Sequence, residues 1–274
     1  MFKSVLLPLD GSVLAARALP YAKRVARAAG ARLIVVRAHL PADDLGLRLE
    51  YPELSPAKRA DVERTTAEAE FQTAADGLRQ KDLDVEAHFV ERAAADVIYE
   101  TAASTQANLI VMSTHGHGGL GRWLYGSVAD EVLGRVPVPV LLVSAVCAQT
   151  WAQDQPLRVV APLDGSDLAD RPPRRGSIWT KWPQDCAPTN APAVSTRIAH
   201  GDAASQICAV AQEVGAGAIA MATHGRSGMA RLLLGSVATR TLHQSTVPVL
   251  IYRPVALPQT PLEQAVERVT APAR

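Results

Sequence analysis

The sequence MSTHGHGGLGRWLYGSVA at residues 112–129 recurs at residues 221–238 as MATHGRSGMARLLLGSVA. The similarity extends without a gap over residues 109–143 and 218–252, where 17 of 35 positions are identical. Self-similarity at a fixed offset is the sign of an internal repeat. This stretch therefore predicts that the chain is built from two copies of one unit.

Strand and helix patterns alternate on the N-terminal side of the first copy of this stretch. Short apolar runs suited to buried strands alternate with segments whose apolar residues recur at helical spacing. We predict strands over residues 2–9, 32–38, 85–90, 108–113 and 138–143. A long helix begins at Ser55-Pro56 and runs to about Gln80. The alternation predicts a Rossmann-like α/β fold with a five-stranded, mostly parallel sheet sandwiched by helices.

The second copy of the unit is shorter than the first. VLLPLDGS at residues 5–12 returns as VVAPLDGS at 159–166, an offset of 154, whereas the later stretch has an offset of 109. About 45 residues are therefore missing between the two motifs of the second copy. Five prolines fall within residues 171–193, a density that excludes a regular helix. We predict a complete domain over 1–148, a truncated domain over 149–256 with 171–193 irregular, and a tail over 257–274.

The composition excludes several classes of protein. Of the 274 residues, 48% are apolar, which is enough for two domains with real cores. The net charge of +1 gives no electrostatic reason to expect nucleic acid as a partner. No apolar run approaches the roughly 18 residues of a membrane span, and the N-terminus lacks the pattern of a signal peptide. Three scattered cysteines disfavour both a disulfide framework and a cysteine metal site. We expect a cytoplasmic protein with neither nucleic acid nor membrane as partner.

The glycine-rich loop after the fourth predicted strand is the first candidate binding site. Gly116 leaves that strand, and Gly126-Ser127 begins the next helix. Backbone N–H groups in such a loop and at a helix N-terminus hold phosphate oxygens, and Ser127 adds a hydroxyl. The alternative is that these glycines serve only turns and close helix packing, and the residues alone do not decide between the two. The spacing at 116–121 formally fits GxGxxG, but it follows the wrong strand for a dinucleotide site.

The motif PLDGS at the exit of the first strand is the second candidate. Pro8 stiffens the end of the strand, and Asp10 offers acceptor oxygens to an amine or hydroxyl such as those of adenine or ribose. The alternative, which the residues alone favour, is that Asp10 caps the following helix.

PLDGS after the first strand, THG-x9-GSVA after the fourth and the terminal VPVLLV together resemble the universal stress protein family. The resemblance covers residues 1–145, and 157–170 with 195–252 in the second half. It implies a five-stranded parallel α/β sandwich and, in one branch of the family, binding of ATP through G-x2-G-x9-G-[ST]. It also implies pairing along the last strands, either between the two units of one chain or in a homodimer. Within one chain, Val247–Tyr252 would lie against Val138–Val143.

The resemblance implies nucleotide contacts in the first unit. Pro8, Asp10 and Ala38 would surround the adenine and ribose. The ribose and phosphate side would be lined by Met112, Ser113, Gly116, Gly126, Ser127 and Val128. Ser113 stands where the family motif has its first glycine, so its Cβ narrows the approach, and a positive φ there would add strain.

The second unit keeps part of this set. Its matching residues are Pro162, Asp164, Gly225, Gly235 and Ser236, while Ala222 replaces the first glycine. The strand that would form one wall of the adenine pocket has no counterpart. We therefore predict a weak or inactive second site.

No catalytic residue is assigned from the sequence, because there is no Ser-His-Asp arrangement, no metal-ligand cluster and no placed base. The expected function is adenine-nucleotide binding with a sensor or regulatory role in the stress response. ATP is the expected cofactor, with Mg²⁺ arriving only with the nucleotide. The first alternative is a nucleotide-free scaffold, which Ser113 and Ala222 motivate. The second is slow ATP hydrolysis with Asp10 or His115 as candidates, although the residues alone favour a His115 that hydrogen-bonds to the loop backbone.

Overall fold

The computed structural model describes residues 2–40, 49, 51–79, 83–114, 126–147, 151, 155–163, 195–222 and 234–252. The strands of the first unit are β1 (Ser4–Pro8), β2 (Arg32–Ala38), β3 (Val85–Val90), β4 (Leu109–Thr114) and β5 (Val140–Ser144). Its helices are α1 (Val13–Ala16), α2 (Leu19–Ala29), α3 (Pro56–Arg79), α4 (Ala94–Ser104) and α5 (Ser127–Arg135). The second unit contributes β6 (Val159–Val160), α6 (Ala203–Glu213), β7 (Ala218–Ala222), α7 (Ser236–Gln244) and β8 (Val249–Tyr252).

The described strands form one sheet in the order β3-β2-β1-β4-β5-β8-β7-β6. Neighbours run parallel within each unit, which confirms the predicted mostly parallel α/β architecture. Among the described strands, only β5 and β8 pair antiparallel, with Val140 opposite Ile251 and Leu142 opposite Val249. The two units are therefore joined within one chain through their terminal strands. This pairing covers one edge of each unit that would otherwise be open.

Two apolar layers lie on opposite faces of the sheet. Leu6 and Ile34 belong to the layer packed with α4 and α5, which continues into the second unit through Ile219. Val5 and Leu33 belong to the layer packed with α2 and α3. Successive residues of a strand point to opposite faces. The same alternation decides which side of the sheet each residue at a strand end can reach.

Proline explains two departures from the predicted boundaries. The helical spacing from Ala15 to Ala29 predicts one helix, but the structure has α1 and α2 with a break at Arg17-Ala18. Pro20 lies in the first turn of α2 and has no N–H to donate to the preceding turn. Strand β5 begins at Val140, two residues later than expected, because Pro137 and Pro139 likewise lack a donor.

The second unit differs from the first beyond β6. Residues 194–199 align with β3 in the repeat, and the described ones, 195–199, form no strand and are exposed. In the first unit β3 pairs with β2, and no described strand of the second unit takes the place of β2. A strand without such a neighbour has no partners for its backbone groups. The predicted irregular stretch 171–193 and the predicted tail 257–274 lie outside the described residues.

Candidate functional site

The direction in which the chain adds strands reverses between β1 and β4. The chain passes from β1 outward to β2 and β3, and then returns to place β4 on the other side of β1. The β1–β4 ladder includes Val5 opposite Leu109 and Leu6 opposite Ile110, and it stops before either strand ends. In open α/β sheets, ligands bind in the crevice beyond the carboxyl ends of the two strands at such a reversal. The candidate site is therefore the crevice between the exits of β1 and β4.

Several predicted site residues lie on one side of this crevice. Met112, at the end of β4, is 5% exposed and belongs to the apolar layer on the α4 and α5 side. Ala38, at the end of β2, and Val128, in the first turn of α5, are partly buried against the same layer. Strand alternation places Pro8 on the face of Leu6, which is also this side. Residues from four separate elements thus supply apolar groups to this side of the crevice, which together are called its apolar wall.

The exit of β1 presents Asp10 at the edge of the crevice. The Leu9 N–H donates to the Val36 carbonyl at 2.8 Å and ties the loop to β2. The Ser12 N–H donates to Oδ1 of Asp10 at 2.8 Å, while Oγ of Ser12 accepts from the Ala15 N–H at 3.0 Å. Ser12 is therefore the N-cap of α1, which corrects the alternative that Asp10 caps this helix. Among the described residues, no group donates a hydrogen bond to the second carboxylate oxygen of the exposed Asp10.

The N-terminus of α5 supplies hydrogen-bond donors on the other side of the crevice. Gly126 is the N-cap residue, with φ +89° and ψ 141°, and no side chain caps the helix there. The first N–H groups of a helix have no partner within it, and they carry a partial positive charge. The exposed Ser127 adds a hydroxyl to these donors. Asp130 in the same turn is partly buried, and burial raises its pKa.

Ser113 does not share the wall formed by Met112. It lies one residue further along β4, opposite Val143 in β5, and so points to the other face of the sheet. Its backbone is extended, since Gln106 is the non-glycine residue with positive φ in the described part of the chain. A positive φ, which would have strained Ser113 or its counterpart Ala222 in β7, is therefore found at neither residue. Ser113 lies at the strand end but not on the apolar side. Gly116 and the remainder of the glycine-rich loop lie outside the described residues.

The second unit repeats the arrangement incompletely. Strand β6 pairs with β7 as β1 pairs with β4, and Pro162 follows β6. Gly235 caps α7 in front of Ser236 but has φ −64° and ψ 156°, an ordinary extended conformation. Among the described strands, β7 alone pairs with β6, so the wall that Ala38 forms in the first unit has no described counterpart. Asp164 and Gly225 lie outside the described residues.

The sequence analysis did not identify two residues that lie beside the site, Arg37 and Gly11. The side chain of Arg37 is only 14% exposed, and its guanidinium lies against the backbone of Gly11. The available signal was a positive charge near the end of RLIVVRA, an otherwise apolar strand. A charged group there needs a specific partner, because burying an unpaired charge is costly.

The described residues offer no group of three or more His, Cys, Asp or Glu placed to hold a metal ion. In the same part of the chain, no helix combines the length and apolar character needed to cross a bilayer. Cys147 is buried and Cys208 partly buried, and burial raises the pKa of both thiols. Both cysteines thus behave as the small apolar residues that the sequence predicts.

Comparisons with known proteins agree with this architecture. The profile of the universal stress protein family matches residues 1–144 and again residues 152–253. A universal stress protein of Thermus aquaticus is 38% identical over 143 residues, which cover 52% of this chain and 99% of that protein. One from Methanocaldococcus jannaschii is 27% identical over 145 residues, covering 52% of this chain and 82% of that protein. The crystal structure of a universal stress protein from Archaeoglobus fulgidus has the same fold, with a TM-score of 0.66 and 20% identity. It covers 92% of this chain and 97% of its own.

Proposed function

Since this chain belongs to the universal stress protein family, we propose that its first unit binds an adenine nucleotide and that occupancy of this site serves a sensor or regulatory role in the stress response. The expected ligand is ATP, with Mg²⁺ bound to its phosphates. The observation that carries the proposal is the crevice at the β1–β4 reversal, where an apolar wall, a carboxylate and a helix N-terminus meet.

Each part of the crevice matches one part of a nucleotide. The wall of Pro8, Ala38, Met112 and Val128 suits the flat apolar faces of a purine. The second carboxylate oxygen of Asp10, which has no partner among the described residues, is suited to accept a hydrogen bond from an amino or ribose hydroxyl group. The N-terminus of α5 and Ser127 suit phosphate oxygens. Mg²⁺ bound to the phosphates would offset the repulsion between them and the carboxylate of Asp130 in the first turn of α5.

The second unit serves mainly as a structural partner in this proposal. Its β8 completes the edge of β5, whereas its β6 has no described neighbour on the side where the first unit places β2. The ordinary φ of Gly235 indicates that the N-terminus of α7 is not arranged as that of α5. We therefore expect one competent site per chain.

Calorimetric titration of the full chain with ATP and Mg²⁺ tests the proposal through its stoichiometry. About one site per chain supports it. About two sites would mean that the second unit also forms a binding pocket, and the proposal that it is mainly a structural partner would be wrong. No binding would favour the nucleotide-free scaffold, with Ser113→Gly as the first reversion to examine.

A matched pair of variants locates the site. Gly126→Leu places a side chain at the N-terminus of α5 and should abolish binding. Gly77→Leu adds the same side chain in α3, where a Cβ at this glycine has no neighbour within 4 Å, and should leave the affinity unchanged. Equal affinities of the two variants would place the ligand elsewhere.

A further inference from the structure

Arg37 lies beside the candidate site without forming part of its apolar wall. We infer that Arg37 is a positioning residue for nucleotide binding, and that its guanidinium holds residues 9–12, the loop after β1, in the conformation that presents Asp10. This inference rests on the proposed function, because it concerns the affinity of the same site.

The guanidinium and the loop backbone are in close contact at Gly11. A Cβ built on Gly11 would lie 2.9 Å from Nη2 of Arg37, closer than real Cβ atoms approach, and 3.1 Å from Cζ. Gly11 also has φ +83°, a conformation that side chains rarely adopt. Glycine is therefore favoured at position 11 by its dihedral angle, and any side chain there would push the end of Arg37 aside.

Helix α3 keeps the guanidinium in place. Nη1 of Arg37 donates to the Ala67 carbonyl at 3.1 Å and lies 3.6 Å from Oε2 of Glu70. The Glu70 side chain is 64% exposed, so this ion pair is weak. The hydrogen bond to Ala67 is partly buried and is the stronger anchor. Arg37 thus connects α3 to the loop that carries Asp10.

The loop conformation determines where the Asp10 carboxylate lies. Asp10 precedes Gly11, and its Oδ1 is held by the Ser12 N–H at 2.8 Å. Without the guanidinium beneath Gly11, the loop samples more conformations, and ligand binding must then order it. Ordering a loop on binding lowers the affinity without the loss of any direct contact.

Two other roles for Arg37 make different predictions. Strand alternation places Arg37 on the face opposite Ala38 and Met112, so a direct contact with the nucleotide is disfavoured. A role confined to tying β2 to α3 would lower the melting temperature and leave the dissociation constant for ATP unchanged.

The experiment compares Arg37→Met, Arg37→Lys and the control Arg32→Met in the full chain. Arg32→Met removes the same charge from the same strand, but the Arg32 side chain is 52% exposed and pairs with Asp84 and Glu86 instead of contacting the loop. The measurements are the dissociation constant for ATP with Mg²⁺ and the exchange rate of the Ser12 amide hydrogen without ligand. We expect Arg37→Met to weaken ATP binding about tenfold, by 1.4 kcal/mol, and to accelerate Ser12 exchange. Arg37→Lys should rescue only part of the loss, because an ammonium cannot reproduce the planar contact. Arg32→Met should change neither quantity.

Unchanged ATP affinity in folded Arg37→Met would overturn the inference, and so would weakened binding with unchanged Ser12 exchange. If Arg37→Met does not fold, Arg37→Lys decides, since it keeps the charge but removes the planar guanidinium from Gly11; unchanged ATP affinity together with unchanged Ser12 exchange in that variant would overturn the inference. Absence of ATP binding by the wild-type chain would instead overturn the proposed function. In that case Ser12 exchange, which needs no ligand, still decides whether Arg37 holds the loop.

Discussion

Alanine at Gly126 and alanine at Gly235 should have different effects, although both glycines precede an identical Ser-Val-Ala sequence. Gly126 has φ +89° and ψ 141°, close to a region that is accessible essentially only to glycine. Gly235 has φ −64° and ψ 156°, which any residue adopts. Both glycines are N-cap residues of nine-residue helices. The pair therefore isolates the cost of the backbone conformation.

The expected difference follows from this geometry. Alanine restricts the unfolded chain and is a poorer N-cap than glycine, but both effects apply equally at the two positions. The strain of a side chain at φ +89° applies only at Gly126 and costs about 1–3 kcal/mol. For a chain of this size, this corresponds to a melting temperature about 2–12 °C lower in Gly126→Ala than in Gly235→Ala.

Thermal unfolding followed by circular dichroism measures the stability difference, and titration with ATP measures its effect on the site. If the chain relieves the strain by shifting the start of α5, the stability loss shrinks and ATP affinity falls instead. Equal melting temperatures combined with equal ATP affinities for the two variants would refute the reasoning. It would mean that Gly126 does not need its left-handed conformation.

Three further predictions concern other parts of the fold. Gly77 lies in the interior of α3, where an added Cβ has no neighbour within 4 Å. Gly77→Ala should therefore raise the free energy of unfolding, measured in urea, by about 0.5–1 kcal/mol. A lower free energy of unfolding would show that α3 is not a regular helix there. Trp151 donates from Nε1 to the Gly217 carbonyl at 2.7 Å, and its ring packs edge-on against Tyr21 with 5.0 Å between the ring centroids. Trp151→Ala should therefore lower the free energy of unfolding by about 2 kcal/mol and Trp151→Phe by about 1. Equal stability of the wild-type chain and both variants would exclude this link between the units. The hydroxyl and N–H of Ser205, followed by Arg240, lower the pKa of Asp202. Its stabilising effect is therefore present above the unfolded pKa of about 3.9 and is lost as the pH falls through the lower folded value. Asp202→Asn should accordingly lower the melting temperature at pH 7 and lower it much less at pH 2. The same difference in melting temperature between wild type and variant at both pH values would contradict the stabilising role of the Asp202 carboxylate.

Much of the first unit was predictable because its local sequence patterns, such as apolar strands and helix caps, agree with the burial and hydrogen bonding that these segments have in the fold. RLIVVRA predicts β2 over Arg32–Ala38, which are the bounds observed. Ser55-Pro56 predicts the start of α3, and Oγ of Ser55 accepts from the Lys58 N–H at 3.4 Å. The sequence analysis did not predict the break between α1 and α2. The spacing of apolar residues indicates which face of a helix is buried, but it does not show that Pro20 lacks a backbone N–H. The contact of Arg37 with Gly11 joins residues 26 positions apart, a distance beyond the reach of a local pattern.

The sequence by itself determined the repeat, the order of strands and helices, and the motifs at the strand exits. These follow from residue identity and from spacing along the chain. The tertiary structure alone decided which face each strand-end residue takes, so that Met112 joins the wall of the crevice and its neighbour Ser113 does not. It also gave the two GSVA sequences different backbones, with φ +89° at Gly126 and −64° at Gly235. The Ser-Val-Ala sequence after each glycine is the same, so it does not fix φ at the N-cap residue. Glycine adopts either value because it has no Cβ, and the choice is made by the tertiary structure.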